Sequence, residues 1–141
     1  MRTSTLLVSA IATLANAYHK PQDTPTWGAL LSPNGDLPVT RGKPFDITWN
    51  PQYSDPKYDA SKQTVSLVLC RGNSNTCNPD PTAIVEGVKA TDNKWTWNVP
   101  CDLPAGEKNT DTGYGMLIIV DQDGQFQYST QFSVLQGDTC P

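Results

Sequence analysis

Short segments in which apolar and polar residues alternate recur along this chain, and they leave few folds open to it. The pattern is present in segments 44–49, 64–70 and 94–99. Because successive side chains of a β-strand point to opposite faces, each segment predicts a strand with one buried face and one exposed face. No stretch after residue 17 keeps a helical periodicity for more than two turns.

A more continuously apolar segment, 114–120, predicts a strand at the centre of a sheet. The sequence Asp121-Gln122-Asp123-Gly124 follows it, and Asp-Gly is a strong signal for a hairpin turn. The chain then returns as a predicted strand over 125–134. This strand would place on one face the side chains of Tyr128, Thr130, Phe132 and Val134.

Two weaker strands are predicted at 29–32 and 83–88, which brings the number of strands to about seven. Short strands separated by turns rich in Pro, Gly, Asn and Asp are typical of an antiparallel two-sheet sandwich. We therefore predict an all-β fold of the immunoglobulin or fibronectin type III class. A single domain would extend over residues 29–141.

The first seventeen residues form a segment of a different kind. One basic residue, Arg2, precedes an apolar run, 6–14, that is too short to span a bilayer. The run leads to Ala15-Asn16-Ala17, a small-x-small pattern of the type that signal peptidase cleaves. We predict a signal peptide over 1–17, a mature N-terminus at Tyr18, an arm over 18–28, and a secreted protein.

Four cysteines follow the predicted cleavage site. An even number in an oxidising compartment predicts two disulfides, for which the sequence alone permits three pairings. We favour Cys70–Cys77, which would close a short turn, and Cys101–Cys140, which would tie the end of the chain to its middle. The rival interpretation, a four-cysteine zinc site, lacks the closely spaced cysteine pairs of known zinc knuckles.

The charge of the chain restricts its partners. Its formal net charge is −4, and removal of Arg2 with the signal peptide makes it about −5. No basic cluster is present, so nucleic acid and anionic membrane surfaces are poor partners. The mature sequence contains no second long apolar segment, and we expect neither a transmembrane helix nor a lipid anchor.

Several short motifs occur in a fixed order between residues 31 and 134. They are Leu31-Ser32-Pro33-Asn34-Gly35, Val39-Thr40-Arg41-Gly42-Lys43-Pro44-Phe45-Asp46-Ile47-Thr48-Trp49-Asn50-Pro51, Val65-Ser66-Leu67-Val68-Leu69, Trp95-Thr96-Trp97-Asn98-Val99-Pro100, Gly113-Tyr114 and Tyr128-Ser129-Thr130-Gln131-Phe132. This series resembles the N-terminal immunoglobulin-like domain of the fungal Kre/Knh type. The resemblance implies a role in β-1,6-glucan assembly at the cell surface, and it supplies no catalytic residues.

Groups suited to catalysis are sparse. His19 is the only histidine, so both a copper site at the N-terminus and a Ser–His–Asp triad lack partners. The acidic residues fall mostly in turns, where carboxylates cap backbone N–H groups. The sequence Asp121-x-Asp123-Gly124 resembles part of a calcium loop but lacks its later ligands, and a hairpin turn is favoured. We predict no enzymatic activity, no metal and no cofactor.

Aromatic residues are the best candidates for a binding site, because an aromatic face can stack on the C–H surface of a sugar ring. Three tryptophans share the buried face of predicted strands and are assigned to the core, namely Trp49, Trp95 and Trp97. Trp27 precedes the first strand and either packs the arm against a sheet or lies on the surface. Tyr53 and Tyr58 belong to a polar loop, and with Trp27 they are the candidate ligand-binding residues.

The sequence thus predicts a secreted, non-catalytic binding module associated with the fungal cell wall. Its partner would be a wall polysaccharide or another extracellular protein. A secreted effector or elicitor that binds a host or competitor protein is the alternative. A glycan-active enzyme that uses scattered carboxylates is a third, less favoured function.

Overall fold

The structure is a computed structural model that describes residues 18–51, 59–72 and 77–141. Two single-turn 3₁₀-helices, Ala60–Lys62 and Ala90–Asp92, are the helical elements of these residues. The remaining regular structure consists of strands. In chain order they are β1 (Ala29–Ser32), β2 (Val39–Thr40), β3 (Pro44–Asn50), β4 (Thr64–Arg71), β5 (Asn78–Pro79), β6 (Val85–Lys89), β7 (Lys94–Asn98), β8 (Tyr114–Val120), β9 (Phe126–Tyr128) and β10 (Val134–Leu135).

The strands predicted from alternation are confirmed. Segments 44–49, 64–70, 94–99 and 114–120 correspond to β3, β4, β7 and β8. The described residues contain ten strands instead of about seven, because β2, β5 and β10 have two residues each. Strands of this length are too short to show an alternating pattern, so they could not be predicted from alternation.

The strands form two main sheets. The small sheet has the order β1-β3-β7, and the large sheet has the order β5-β4-β8-β9 with β6 also paired to β4. Neighbouring strands in both sheets are antiparallel. The longest pairing joins β4 to β8 from Val65↔Val120 to Arg71↔Tyr114, and it places these two apolar strands at the centre of the large sheet.

One pairing departs from the expected antiparallel arrangement. Strand β10 pairs with β2 in parallel, with Val134 opposite Val39. Backbone hydrogen bonds from Val39 N to Ser133 O (3.1 Å) and from Arg41 N to Leu135 O (3.0 Å) hold the pair. The side chains of Val39 and Val134 are both buried in the core, and this burial fixes the register because a shift by one residue would expose them.

The core lies between the two sheets and contains the inward-facing residues of both. The side chains of Trp49 and Trp97 are 2% and 5% exposed, as predicted. Trp95 is only half-buried, because β7 lies at the edge of the small sheet. The fully buried apolar residues that surround these rings include Ile47, Val65, Leu67, Met116, Ile118, Val120 and Phe132.

Both predicted disulfides are confirmed. Cys70 is bonded to Cys77 and Cys101 to Cys140, with a Cα–Cα distance of 5.4 Å in each pair. The first joins β4 to the residue just before β5, and the second fastens the end of the chain to the loop after β7. No cysteine is free. The chain is thus an all-β, disulfide-bonded sandwich.

The return strand predicted over 125–134 is wrong in one respect. It is split into β9 and β10, so Tyr128 and Thr130 are exposed while Phe132 and Val134 are buried. The cause is Ser129, whose Oγ accepts a hydrogen bond from the Met116 N–H (3.1 Å) in place of a backbone carbonyl. When a side-chain oxygen takes the place of a backbone carbonyl in the hydrogen bonds between two strands, the strand is interrupted. The alternation of side chains between the two faces then does not continue past that residue.

Candidate functional site

The outer face of the large sheet is apolar along its central strands. Val68 of β4 lies opposite Leu117 of β8, which lies opposite Tyr128 of β9. In the next row, Ile119 lies opposite Phe126. An antiparallel sheet usually leaves one face to solvent. Here the second face also carries large apolar side chains, so part of it must be covered.

The N-terminal arm supplies this cover. The ring of Tyr18 is 5% exposed and packs in a small cluster with Val68, Leu117, Ile119 and Phe126. The Tyr18 hydroxyl donates a hydrogen bond to the Asp80 carbonyl at 2.8 Å. Further along, backbone hydrogen bonds from Gln22 N to Gly124 O (2.9 Å) and from Thr26 N to Phe126 O (3.1 Å) tie the arm to the β8–β9 hairpin.

Trp27 ends the arm, and its side chain is 3% exposed. Its indole Nε1 donates a hydrogen bond to Gln63 Oε1 at 3.3 Å. Of the two alternatives left open by the sequence, the structure has the one in which Trp27 packs the arm against the sandwich. A buried indole with a satisfied N–H offers no free face for stacking. Tyr53 and Tyr58 lie outside the described residues.

Two buried tyrosines should make the stability fall at alkaline pH. Burial, with the nearby Asp80 charge, raises the pKa of Tyr18, and burial raises that of Tyr114 against the opposing effect of Arg71. A tyrosine is neutral when protonated, so the folded state retains these protons at a pH where the unfolded chain loses them. Their contribution is therefore complete below about pH 10 and is lost above it.

Urea unfolding at about pH 8 and about pH 11 measures this loss. The free energy of unfolding should be lower at the higher pH. The double variant Tyr18→Phe/Tyr114→Phe should show a smaller decrease, although its stability at pH 8 is reduced by the lost hydroxyl contacts. An equal decrease in both proteins would contradict the assignment.

A groove runs beside the arm on the outer face of the large sheet. We call it the outer groove, and its volume is about 430 Å³, within the range of about 300–1,000 Å³ that is usual for small-ligand sites. The arm forms one wall, β8 and β9 form the floor, and the first disulfide borders the far side. The residues used below are Pro21, Asp23, Pro25, Gly115, Leu117, Tyr128 and the Cys70–Cys77 disulfide.

Tyr128 is the most exposed large aromatic residue of the outer groove. Its side chain is 49% exposed, whereas that of Phe126, two residues earlier on the same face, is 8% exposed. The two ring centroids are 6.2 Å apart with an interplanar angle of 31°. The buried Phe126 ring thus supports the Tyr128 ring from the side. Tyr128 therefore combines a free aromatic face with a fixed position.

Tyr128 was predicted on one face of a long strand with Thr130, Phe132 and Val134, and it was not among the candidate ligand-binding residues. The sequence did hold one signal for the groove. In β4 and β8, the residues that alternate with the core-facing ones are also apolar, namely Val68, Leu117 and Ile119. When the residues on both faces of a strand are apolar, both faces of its sheet are expected to be covered by other parts of the protein.

On the floor of the outer groove, Gly115 lies directly beneath the Cys70–Cys77 disulfide. A Cβ atom at this position would lie 3.0 Å from the Cys70 Sγ and 3.2 Å from the Cys77 Sγ. Real Cβ atoms rarely approach other atoms this closely. Glycine therefore allows β8 to pass directly beneath the disulfide.

The outer groove has an acidic character with little total charge. Asp23, on the exposed arm, is the one carboxylate among the described residues that line it, and its two cysteines are joined in a disulfide. Lys and Arg side chains are missing from this described lining. An anionic ligand would therefore meet no counter-charge, whereas a neutral ligand with hydroxyl groups would meet a hydrogen-bond acceptor.

A second cavity, of about 470 Å³, lies at the mouth of the sandwich between β7 and the segment before β6. Trp95, Trp97 and Leu103 are among its lining residues. Both indoles pack against the core, Trp97 as a buried member and Trp95 as a partly buried neighbour. This cavity therefore presents ring edges and core side chains, and it is a weaker candidate than the outer groove.

His19, Asp121 and Asp123, which were candidates for a metal or catalytic role, have structural partners. His19 is exposed, and its Nδ1 lies 2.8 Å from the Lys20 carbonyl oxygen. The Asp121 carboxylate accepts hydrogen bonds from the hydroxyls of Thr64 and Ser66, and that of Asp123 accepts from the side-chain amide of Gln125. These carboxylates stabilise the β8–β9 turn.

The described ranges contain no group of three or more His, Cys, Asp or Glu side chains that could hold a metal ion. They also contain no helix with the length and hydropathy needed to cross a bilayer.

Comparison with known proteins identifies the family of the chain. Residues 32–134, well over half of its length, match the family of Kre9/KNH-like N-terminal Ig-like domains. The matched region begins at the last residue of β1 and ends at the first residue of β10, so it covers most of the sandwich. Neither curated proteins nor solved structures gave a match. The chain belongs to the Kre9/KNH family, whose members are related to glucan assembly in the fungal cell wall.

Proposed function

We propose that this protein is a secreted, non-catalytic module that binds a polysaccharide of the fungal cell wall through the outer groove. The observation that carries the proposal is the exposed and supported ring of Tyr128 in a groove of ligand size. A carbohydrate site needs a flat apolar surface for the C–H face of a sugar ring, flanked by polar groups for its hydroxyls. The outer groove has both.

Membership in a family related to glucan assembly supports the choice of polysaccharide. Two disulfides support an extracellular location, because such bonds persist in oxidising compartments. The N-terminal sequence, with its signal-peptide pattern, supports secretion in the same way.

The absence of catalysis is part of the proposal. General acid–base chemistry needs titratable groups that converge on one ligand position. In the described lining of the outer groove Asp23 is the one carboxyl group, and glycoside hydrolysis ordinarily requires two. Pure protein incubated with glucans should therefore release no reducing sugar above the level of a buffer control.

Retention on insoluble polymers tests the proposed function. The purified mature protein is incubated with β-1,6-glucan, β-1,3-glucan, chitin and cellulose, and the bound fraction is measured after sedimentation. Selective retention on one glucan is the expected result. Failure to sediment with any of the four polymers would contradict polysaccharide binding and favour an extracellular protein partner, as in an effector.

The variant Tyr128→Ala should lose most of this retention. Removal of the ring removes the stacking surface, and we expect affinity to fall about tenfold or more, as for an anchor residue at the centre of a site. Leu135→Ala is the matched control, because Leu135 is 46% exposed and lies outside the outer groove. Equal retention of the two variants would exclude Tyr128 from the site.

A further inference from the structure

We propose that Asp23, on the N-terminal arm, determines the ligand specificity of the outer groove and selects an uncharged hexopyranose chain. In this arrangement one sugar ring stacks on Tyr128, and the Asp23 carboxylate accepts hydrogen bonds from its hydroxyl groups. The inference rests on the proposed function and adds to it the recognition residue and the ligand class. It also makes the arm part of the binding site.

The arm holds Asp23 in place from both sides. Gln22, the preceding residue, donates from its backbone to Gly124 O (2.9 Å) and from its side chain to Asp123 O (3.2 Å). On the other side, the backbone N–H groups of Thr26 and Trp27 both donate to Phe126 O at 3.1 Å. The segment between these two attachments contains Asp23 and one proline, Pro25, whose fixed φ angle restricts it further.

The Asp23 carboxylate is free to accept hydrogen bonds from a ligand. It is exposed, it lines the outer groove, and it has no hydrogen-bond or ion-pair partner among the described residues. By contrast, Asp46, Asp59, Asp121 and Asp123 each accept hydrogen bonds from neighbouring side chains. Asp23 thus differs from the carboxylates that stabilise turns and strands.

The chemistry of the outer groove favours a neutral sugar over other ligands. An ionised carboxylate only accepts hydrogen bonds, and sugar hydroxyls are donors. The same carboxylate repels phosphorylated or uronic acid polymers, and the described lining offers no cation to offset that repulsion. The face of Tyr128 carries negative π density, which attracts the slightly positive C–H groups of a pyranose ring.

Titration calorimetry with soluble oligosaccharides tests the inference. The mature protein is titrated with gentiotetraose (β-1,6-linked) and laminaritetraose (β-1,3-linked). Asp23→Ala should weaken binding of the preferred oligosaccharide about tenfold, since hydrogen bonds to a charged group are among the stronger ones. Asp23→Asn, which keeps one acceptor oxygen, should recover part of that loss. Asp102→Ala is the matched control, because Asp102 is exposed and lines the second cavity.

Ionic strength provides a second readout. Binding of a neutral ligand should change less than twofold between about 0.05 M and about 0.5 M salt, because screening acts on charge pairs. Thermal unfolding verifies that the exposed substitutions leave the fold intact.

The outcomes separate the two proposals. If the wild-type protein binds a tetraose and Asp23→Ala binds it equally well, the role of Asp23 is wrong and the proposed function stands. Tighter binding of an acidic oligosaccharide, such as an oligogalacturonate, than of either tetraose would also overturn the choice of a neutral ligand. If the wild-type protein binds neither tetraose and no polymer, the proposed function itself fails.

Discussion

Replacement of Trp97 by alanine is expected to lower the free energy of unfolding by about 3–5 kcal/mol, the usual range for emptying a large aromatic side chain from a core. Trp97 lies on β7 opposite Phe45 of β3, and 5% of its side chain is exposed. Its removal would leave a cavity between the two sheets, because the rigid strands around it cannot close over the space. Urea unfolding measures the change.

Trp95→Ala is the matched control for this prediction. Trp95 belongs to the same strand and points to the same side, but it is half-buried at the sheet edge. The loss for Trp95→Ala should be clearly smaller, since water already reaches part of its ring. Equal losses for the two variants, or an unchanged midpoint for Trp97→Ala, would mean that the core is not placed as described.

Loss of the Cys101–Cys140 disulfide is the second large effect. The bond closes a loop of about 40 residues, and the chain-entropy model gives it a stabilisation of about 4 kcal/mol. The double variant Cys101→Ala/Cys140→Ala should therefore unfold at a much lower urea concentration. The C-terminal segment would also lose its attachment to the loop after β7. Gly42 packs closely against this disulfide.

The other disulfide provides the comparison. Cys70–Cys77 closes a loop of about 8 residues, for which the same model gives about 2.5 kcal/mol. Its removal by Cys70→Ala/Cys77→Ala should be less damaging to stability, although it removes one border of the outer groove. A larger loss of stability from the short loop than from the long one would contradict the entropic account.

The sequence predicted those parts of the fold that depend on local patterns. Alternation placed Ile47 and Leu67 in the core, and both are fully buried. The number of cysteines predicted two disulfides, and the pairing favoured among the three possible ones is the one observed. The break after Tyr128 could not be predicted in this way, because it depends on a hydrogen bond between Ser129 and Met116, residues that meet only in the folded sheet.

The candidate site was harder to predict than the fold. The outer groove exists because the arm crosses the outer face of the large sheet, a contact between residues far apart in the sequence, such as Gln22 and Gly124. Trp27 was proposed as a ligand-binding residue because it is a large aromatic residue outside the strands. It is buried because the same crossing carries it over the edge of β9.

Mapping of amide chemical shifts by NMR during titration with the preferred glucan tetraose tests the binding account most directly. The account predicts that the shifts concentrate on the arm around Asp23 and on β8 and β9 around Leu117 and Tyr128. Shifts concentrated around Trp95 would place the ligand in the second cavity. Either that result, or no shifts at a saturating concentration of sugar, would contradict the assignment of the outer groove as the binding site.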